Sequence, residues 1–258
     1  MMPVGAEHWP YPRWIAHRGA GKLAPENTLA AFRVGASHGY RMFECDVKLS
    51  LDGVPFLLHD DSLGRTTNSV QRLGPQASQV GGEHPWSSLA QLDAGSWHSR
   101  GFAGEPLASF ENIARFCRQN DYFLNIEIKA TVGLAHETGG VVAQHAARLW
   151  QGAQVPALLS SFDPIALAAA REAEPQLPRA LLQDTGRADW LESARALDCI
   201  AIVRNHTLWD RASVTQARSA GFRALSYTVN DEWAAQRLIE LGTDSLITDR
   251  IDLFSAAS

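Results

Sequence analysis

Apolar and polar positions alternate most regularly between Phe43 and Asp60, where FECDVKLSLDGVPFLLHD predicts two strands around the turn Asp52-Gly53. A two-residue turn pairs Leu51 with Val54 and sets His59 opposite Asp46, while Glu44 and Asp46 share one face. Upstream, Arg13 to Ala16 reads as a short strand running into the small-residue loop His17-Arg18-Gly19-Ala20-Gly21. Leu29, Phe32, Ala36 and Gly39 then follow at helical spacing, with Asn27 or Thr28 as the cap. From Phe123 onward strands are expected at 123–129, 157–162, 179–184, 199–203, 223–229 and 244–248, with helices between them.

These segments make nine candidate strands. The turn at Asp52-Gly53 is too short for a parallel crossover, so 54–59 must run antiparallel, and eight parallel strands remain. The expected fold is α/β, a (β/α)8 TIM barrel with a β-hairpin and a small insertion after the second strand. Periodicity is lost from Asp61 to Pro106, where Gly, Ser, Gln and Pro become frequent. That insertion, 61–106, is expected to rise over the barrel mouth. Its aromatics Trp86, Trp97 and Phe102 either form a small core of their own or line a pocket.

Length and composition fit this picture. With 258 residues and 45% hydrophobic content, residues 1–258 are expected to form a single domain. The 23 basic and 28 acidic residues give a net charge of -5, without a Lys/Arg cluster longer than a pair, which argues against nucleic acid or an anionic membrane as partner. Cys45, Cys117 and Cys199 are odd in number and set in apolar segments, so they read as core residues and not as disulfide or zinc ligands. The opening MMPVGAEHWPYPRW shows no signal-peptide pattern, and no stretch reaches the length of a transmembrane helix, so a cytoplasmic location is expected.

In such a barrel the reactive groups sit at the carboxyl ends of the strands. That rule collects His17 and Arg18, Glu44 and Asp46, His59, and Glu127 and Lys129. Glu44, Asp46 and Glu127 offer hard oxygen ligands suited to a divalent metal, Mg²⁺ or Ca²⁺. Arg18 and Lys129 bring positive charge for an anionic group such as a phosphate. His17 and His59 can serve as an acid/base pair, with His59 favoured as imidazolium if it faces Asp46. The other histidines, His8, His38, His84, His98, His136, His145 and His206, are read as structural.

Together the motifs His17-Arg18-Gly19, Ala24-Pro25-Glu26-Asn27-Thr28, Glu44-x-Asp46-Val47, Asp52-Gly53-Val54-Pro55, His59-Asp60-Asp61-Ser62-Leu63-x-Arg65-Thr66-Thr67-Asn68 and Ile126-Glu127-Ile128-Lys129 resemble, in order, the glycerophosphodiester phosphodiesterases. Leu92 to Trp97, Tyr227-Thr228-Val229-Asn230 and Ile247-Thr248-Asp249-Arg250 continue the likeness. Tyr227 stands where that family often has Trp, and Ile251 replaces a common Pro. The resemblance implies a metal-dependent hydrolase that takes a small glycerophosphodiester to glycerol 3-phosphate and an alcohol. In it, Glu44, Asp46 and Glu127 bind the metal, His17 and His59 are catalytic, and Arg18 and Lys129 contact phosphate. Two other readings are a phospholipase D-like lyase acting on lysophospholipids or sphingolipids, and a non-catalytic sensor of metal and phosphate.

Overall fold

A computed structural model describes residues 9–256. His8 and the first half of the opening segment lie outside them. In chain order the elements are β1 (Trp14–Ala16), α1 (Leu29–Ser37), β2 (Met42–Leu49), β3 (Pro55–Leu57), α2 (Ser69–Leu73), α3 (Trp86–Leu89), α4 (Phe110–Gln119) and β4 (Phe123–Ile128). They continue with α5 (Ala135–Leu149), β5 (Leu158–Ser161), α6 (Pro164–Ala173), β6 (Arg179–Gln183), α7 (Trp190–Ala196), β7 (Ala201–Asn205), α8 (Arg211–Ser219), β8 (Arg223–Tyr227), α9 (Glu232–Leu241) and β9 (Ser245–Thr248). Eight parallel strands close into a barrel through β1, which pairs with β9 on one side and β2 on the other, and β3 hangs antiparallel from β2. The architecture is a TIM barrel, as the alternation of strand and helix patterns requires.

Strand β2 is buried over its whole length because both of its faces are covered. Phe43, Cys45 and Val47 point outward into the layer shared with the helices. The alternate positions face the barrel axis, Met42 in an apolar floor with Ile15, Leu158, Ala201 and Leu225. Glu44 and Asp46 therefore stand directly above a dry base. Thr28 caps α1 by accepting from the Ala31 amide, which frees Asn27 for another role.

The hairpin register differs from the expectation. Val47 faces Leu57, Lys48 faces Phe56 and Leu49 faces Pro55. The turn holds three residues, Leu51, Asp52 and Gly53, closed by the Ser50 amide on the Val54 carbonyl. Gly53 takes a left-handed conformation there (φ 76°), the usual third position of such a loop. The slip makes Leu58 the backbone neighbour of Asp46 and moves His59 one place beyond it. Leu51, expected inside the pairing, is 67% exposed.

The insertion also departs from its expected place. Its Leu63, Leu89, Leu92 and Ala94 pack on Phe56, Leu58 and Leu107, with Trp86 against them. It lies as a satellite core on the hairpin's flank, and none of Trp86, Trp97 or Phe102 reaches the cleft at the mouth. Among the described residues no helix is long and apolar enough to cross a membrane.

Candidate active site

A cleft of about 460 Å³ opens at the carboxyl ends of the strands and is lined by His17, Arg18, Glu44, His59, Glu127 and Lys129 among others. Asp46 lies just beneath, 1% exposed. The seven residues collected from the sequence thus meet at one mouth. No other described histidine lines the cleft.

Glu44, Asp46 and Glu127 are all buried, and one carboxylate oxygen from each lies within 4.8 Å of the others. Parallel register explains the grouping: Asp46 is the cross-strand partner of Glu127, and Glu44 precedes Asp46 on the same face. Each carboxylate is held by one oxygen. The Arg18 amide donates to Glu44 Oε2 at 3.0 Å, Asn27 Nδ2 donates to Asp46 Oδ2 at 2.8 Å, and Lys129 Nζ donates to Glu127 Oε1 at 2.8 Å. Glu44 Oε1 and Asp46 Oδ1 are buried without a hydrogen-bond partner. Burial, with the neighbouring charge of Asp46, pushes the Glu44 carboxyl up to about 8. Such a cluster is costly unless a cation is shared between its free oxygens. The residues present therefore fit a hard divalent metal.

Positive groups flank the acids. Arg18 Nε is 3.4 Å from Asp46 Oδ2 but makes no hydrogen bond, and Lys129 Nζ is 3.8 Å from Asp46 Oδ1. Arg18 itself adopts a left-handed backbone (φ 51°), as does Asn27 (φ 60°). The pair is locked by the Asn27 amide on the Arg18 carbonyl at 2.9 Å. Strain of this kind persists only where surrounding bonds over-determine it, here so that the Arg18 amide can face Glu44.

Each imidazole is oriented by a carboxylate. His17 Nδ1 lies 2.6 Å from Asp249 Oδ1, and Asn230 holds Asp249 through both its side-chain carboxylate and its backbone amide. His59 Nδ1 lies 2.7 Å from Asp60 Oδ1. Burial alone would depress His17, but the bond to Asp249 and the charge of Glu44 outweigh it and raise its pKa. His59 is lowered, chiefly by desolvation. Asp46 does favour its imidazolium, as the sequence suggested, but Arg18 and Lys129 oppose that effect. The expected preference for a charged His59 is thereby reversed.

The far wall is formed by Phe162, Asp184, Asn205, Tyr227 and Thr228; Tyr227 and Thr228 belong to a motif of the resemblance, whereas Phe162, Asp184 and Asn205 carried no signal in the sequence beyond their place at later strand ends. All of them sit at or just beyond the ends of later strands, where the strand-end rule would have found them. Phe162 meets Tyr227 edge-to-face at 5.6 Å, and Lys129 Nζ lies 5.5 Å from the Phe162 ring centroid. Asp249, Asn230 and Asn27 belong to motifs visible in the sequence, but their partners are distant in the chain.

Taken together, buried oxygen ligands, two cations and two oriented imidazoles can bind a phosphate and move protons beside it. A family model, glycerophosphoryl diester phosphodiesterase family, matches residues 17–253. The fold is similar to that of an Oleispira antarctica phosphodiesterase in complex with the product sn-glycerol-3-phosphate, with 32% identity, a TM-score of 0.85, and 95% of this chain and 96% of that one covered. A glycerophosphodiester phosphodiesterase of Caldanaerobacter subterraneus subsp. tengcongensis is 26% identical over 239 residues, 91% of this chain and 93% of that protein. A human glycerophosphoinositol inositolphosphodiesterase is 46% identical over 102 residues, which span 38% of this chain and only 19% of that protein. With the model matched along nearly the whole barrel, the chain belongs to the glycerophosphoryl diester phosphodiesterase family.

Proposed function

We propose that this protein hydrolyses small glycerophosphodiesters to sn-glycerol 3-phosphate and an alcohol, with a divalent cation, Mg²⁺ or Ca²⁺, held by Glu44, Asp46 and Glu127. The observation that carries the reading is the pair of orphaned buried oxygens, Glu44 Oε1 and Asp46 Oδ1, with Arg18 and Lys129 flanking Asp46. A cation bound there supplies charge that polarises a phosphoryl oxygen. Arg18 and Lys129 donate to the remaining phosphate oxygens and share the charge that grows in the transition state. His17 and His59 carry the protons, one taken from the nucleophile and one given to the leaving oxygen. Asp249 and Asp60 keep each ring turned so that its other nitrogen faces the cleft.

The chain 1–258 is read as one working unit in the cytoplasm. Three buried free thiols, Cys45, Cys117 and Cys199, suit a reducing compartment.

The test is enzyme-coupled release of glycerol 3-phosphate from a panel of headgroups, with and without chelator. Chelation should abolish turnover, and Mg²⁺ or Ca²⁺ should restore it. The same ion should raise the Tm of the wild type but not that of Asp46→Asn. Release of a phosphorylated headgroup in place of glycerol 3-phosphate would overturn the reaction assigned, and an unchanged Tm with full activity in chelator would overturn the metal.

A further inference from the structure

Glu26, Asp60 and Arg65 do not line the cleft, yet they tie together two groups that do. The Arg65 guanidinium grips two carboxylates, one on each edge. Nη1 and Nη2 donate to the two oxygens of Glu26, each at 2.8 Å. Nε and Nη2 donate to the two oxygens of Asp60. Glu26 Oε1 also accepts from Arg18 Nη1 at 2.8 Å, and Asp60 Oδ1 meets His59 Nδ1. An unbroken chain therefore runs Arg18, Glu26, Arg65, Asp60, His59. Its first members stand in the loop after β1 and its last at the end of the hairpin, on two elements that could otherwise shift independently.

Arg65 is itself fixed by the insertion. Thr67 Oγ1 donates to the Leu63 carbonyl at 2.7 Å, and Asn68 exchanges bonds with the Asp93 backbone, its own amide donating to the carbonyl and its Oδ1 accepting the amide. Leu63 is buried in the satellite core. The insertion does not roof the cleft; Asp61 at its start pairs with Lys48 beside the mouth, and Arg65 is the side chain it sends between the two groups of the site.

We propose that Arg65 is a positioning residue, a two-sided clamp that sets the spacing between the phosphate-binding Arg18 and the proton-carrying His59, and that the insertion exists to hold it. This rests on the function proposed above. Only a planar guanidinium can make two bidentate pairs at once; a lysine keeps the charge and loses the geometry. Displacing a reacting group by about 1 Å can cost on the order of 10²-fold in rate, so the clamp should be visible in kinetics.

The experiment is a double-mutant cycle on the metal-loaded full chain. Arg65→Met and Arg65→Lys should each lower kcat by about 10–100-fold and raise KM several-fold. In a His59→Ala background, Arg65→Met should lower kcat by clearly less than in the wild type, because one of the two residues it positions is gone and only its hold on Arg18 remains. Calorimetric affinity for sn-glycerol 3-phosphate should weaken in Arg65→Met, but not when Arg18 is already Ala. Should Arg65→Met fail to fold, Asp60→Asn and Glu26→Gln cut the chain at either end, the first affecting mainly kcat and the second mainly KM. Equal losses of kcat with and without His59, wild-type kinetics in Arg65→Lys, or indistinguishable effects of the two end variants would overturn the clamp. A wild type that releases no glycerol 3-phosphate would instead overturn the function, which keeps the two failures apart.

Discussion

Asp249 shows how one side chain couples chemistry to stability. Burial would raise its carboxyl, but hydrogen bonds from His17 and Asn230 hold it down at about 2. Its folded value therefore lies below the unfolded one near 3.9. Between about pH 4 and 2 the unfolded chain binds more protons than the native one, so stability rises with pH across that window. The contribution is complete above pH 4 and is lost as the pH falls toward 2. Because the side chain is 23% exposed, some of the ideal gain is screened, which leaves about 1–2 kcal/mol. Urea unfolding of Asp249→Asn should show that deficit at pH 6 and converge on wild type near pH 2. A gap that stays constant with pH would mean that the loss is one of packing and not of charge. Asp249 belongs to the motif Ile247-Thr248-Asp249-Arg250, but its partner His17 is 232 positions away, and no spacing rule reaches that far.

At the scale of elements, the hairpin and its insertion divide into parts that pack and parts that act. Trp86 lies 6.2 Å from Phe56, ring to ring, and belongs to the satellite core, while Phe162 and Tyr227 form an aromatic corner of the cleft. Trp86→Ala should cost about 1–3 kcal/mol in unfolding experiments and reduce activity equally on all headgroups, since it deletes packing only. Phe162→Ala should leave stability within about 0.5 kcal/mol, as expected for a partly exposed position, and change the kcat/KM ratio between glycerophosphocholine and an uncharged-headgroup diester. The reverse pattern would return headgroup selection to the insertion. Alternation of apolar residues revealed that the hairpin exists and which residues face inward. It did not reveal register, because a three-residue loop and a two-residue loop both suit an Asp-Gly pair, and the choice fell to Ser50 closing on Val54.

The whole molecule depends on the seam where the first and last strands meet. His17 follows β1 and Asp249 follows β9, so the pair exists only once the barrel has closed. Gly21 sits at this seam with its amide on the His17 carbonyl, and a Cβ added there would strike the Asp249 backbone. Its φ of +55° adds the usual penalty for a side chain in the left-handed region. Gly21→Ala should therefore lower stability by about 1–3 kcal/mol and kcat with it, as Asp249 is pushed away from His17. Gly53→Ala is the matched control, being left-handed (φ +76°) with nothing within 4 Å. It should cost about 1 kcal/mol and leave kcat unchanged. Equal kinetics for the two variants would argue that the seam does not position His17.

The sequence by itself determined the strand count, the antiparallel excursion and the fold. Periodicity of 2 or 3.6 is a local property, and a turn too short for a crossover forbids parallel pairing whatever else the chain does. It also placed Glu44 beside Asp46, because alternate residues of one strand share a face, and brought Glu127 to the same rim through the rule that barrel chemistry sits at the carboxyl ends of strands. Closure of the barrel decided the rest. Which carboxylate oxygens are left without partners, which acid turns His17, and which arginine binds the two halves of the site are distances between residues far apart in the chain; only the acid that turns His59, its neighbour Asp60, is local. Arg65, Glu26 and Asp60 stood in plain view as motif residues. Their chemistry became readable only when the insertion folded down beside the loop after β1 and brought the guanidinium between two carboxylates.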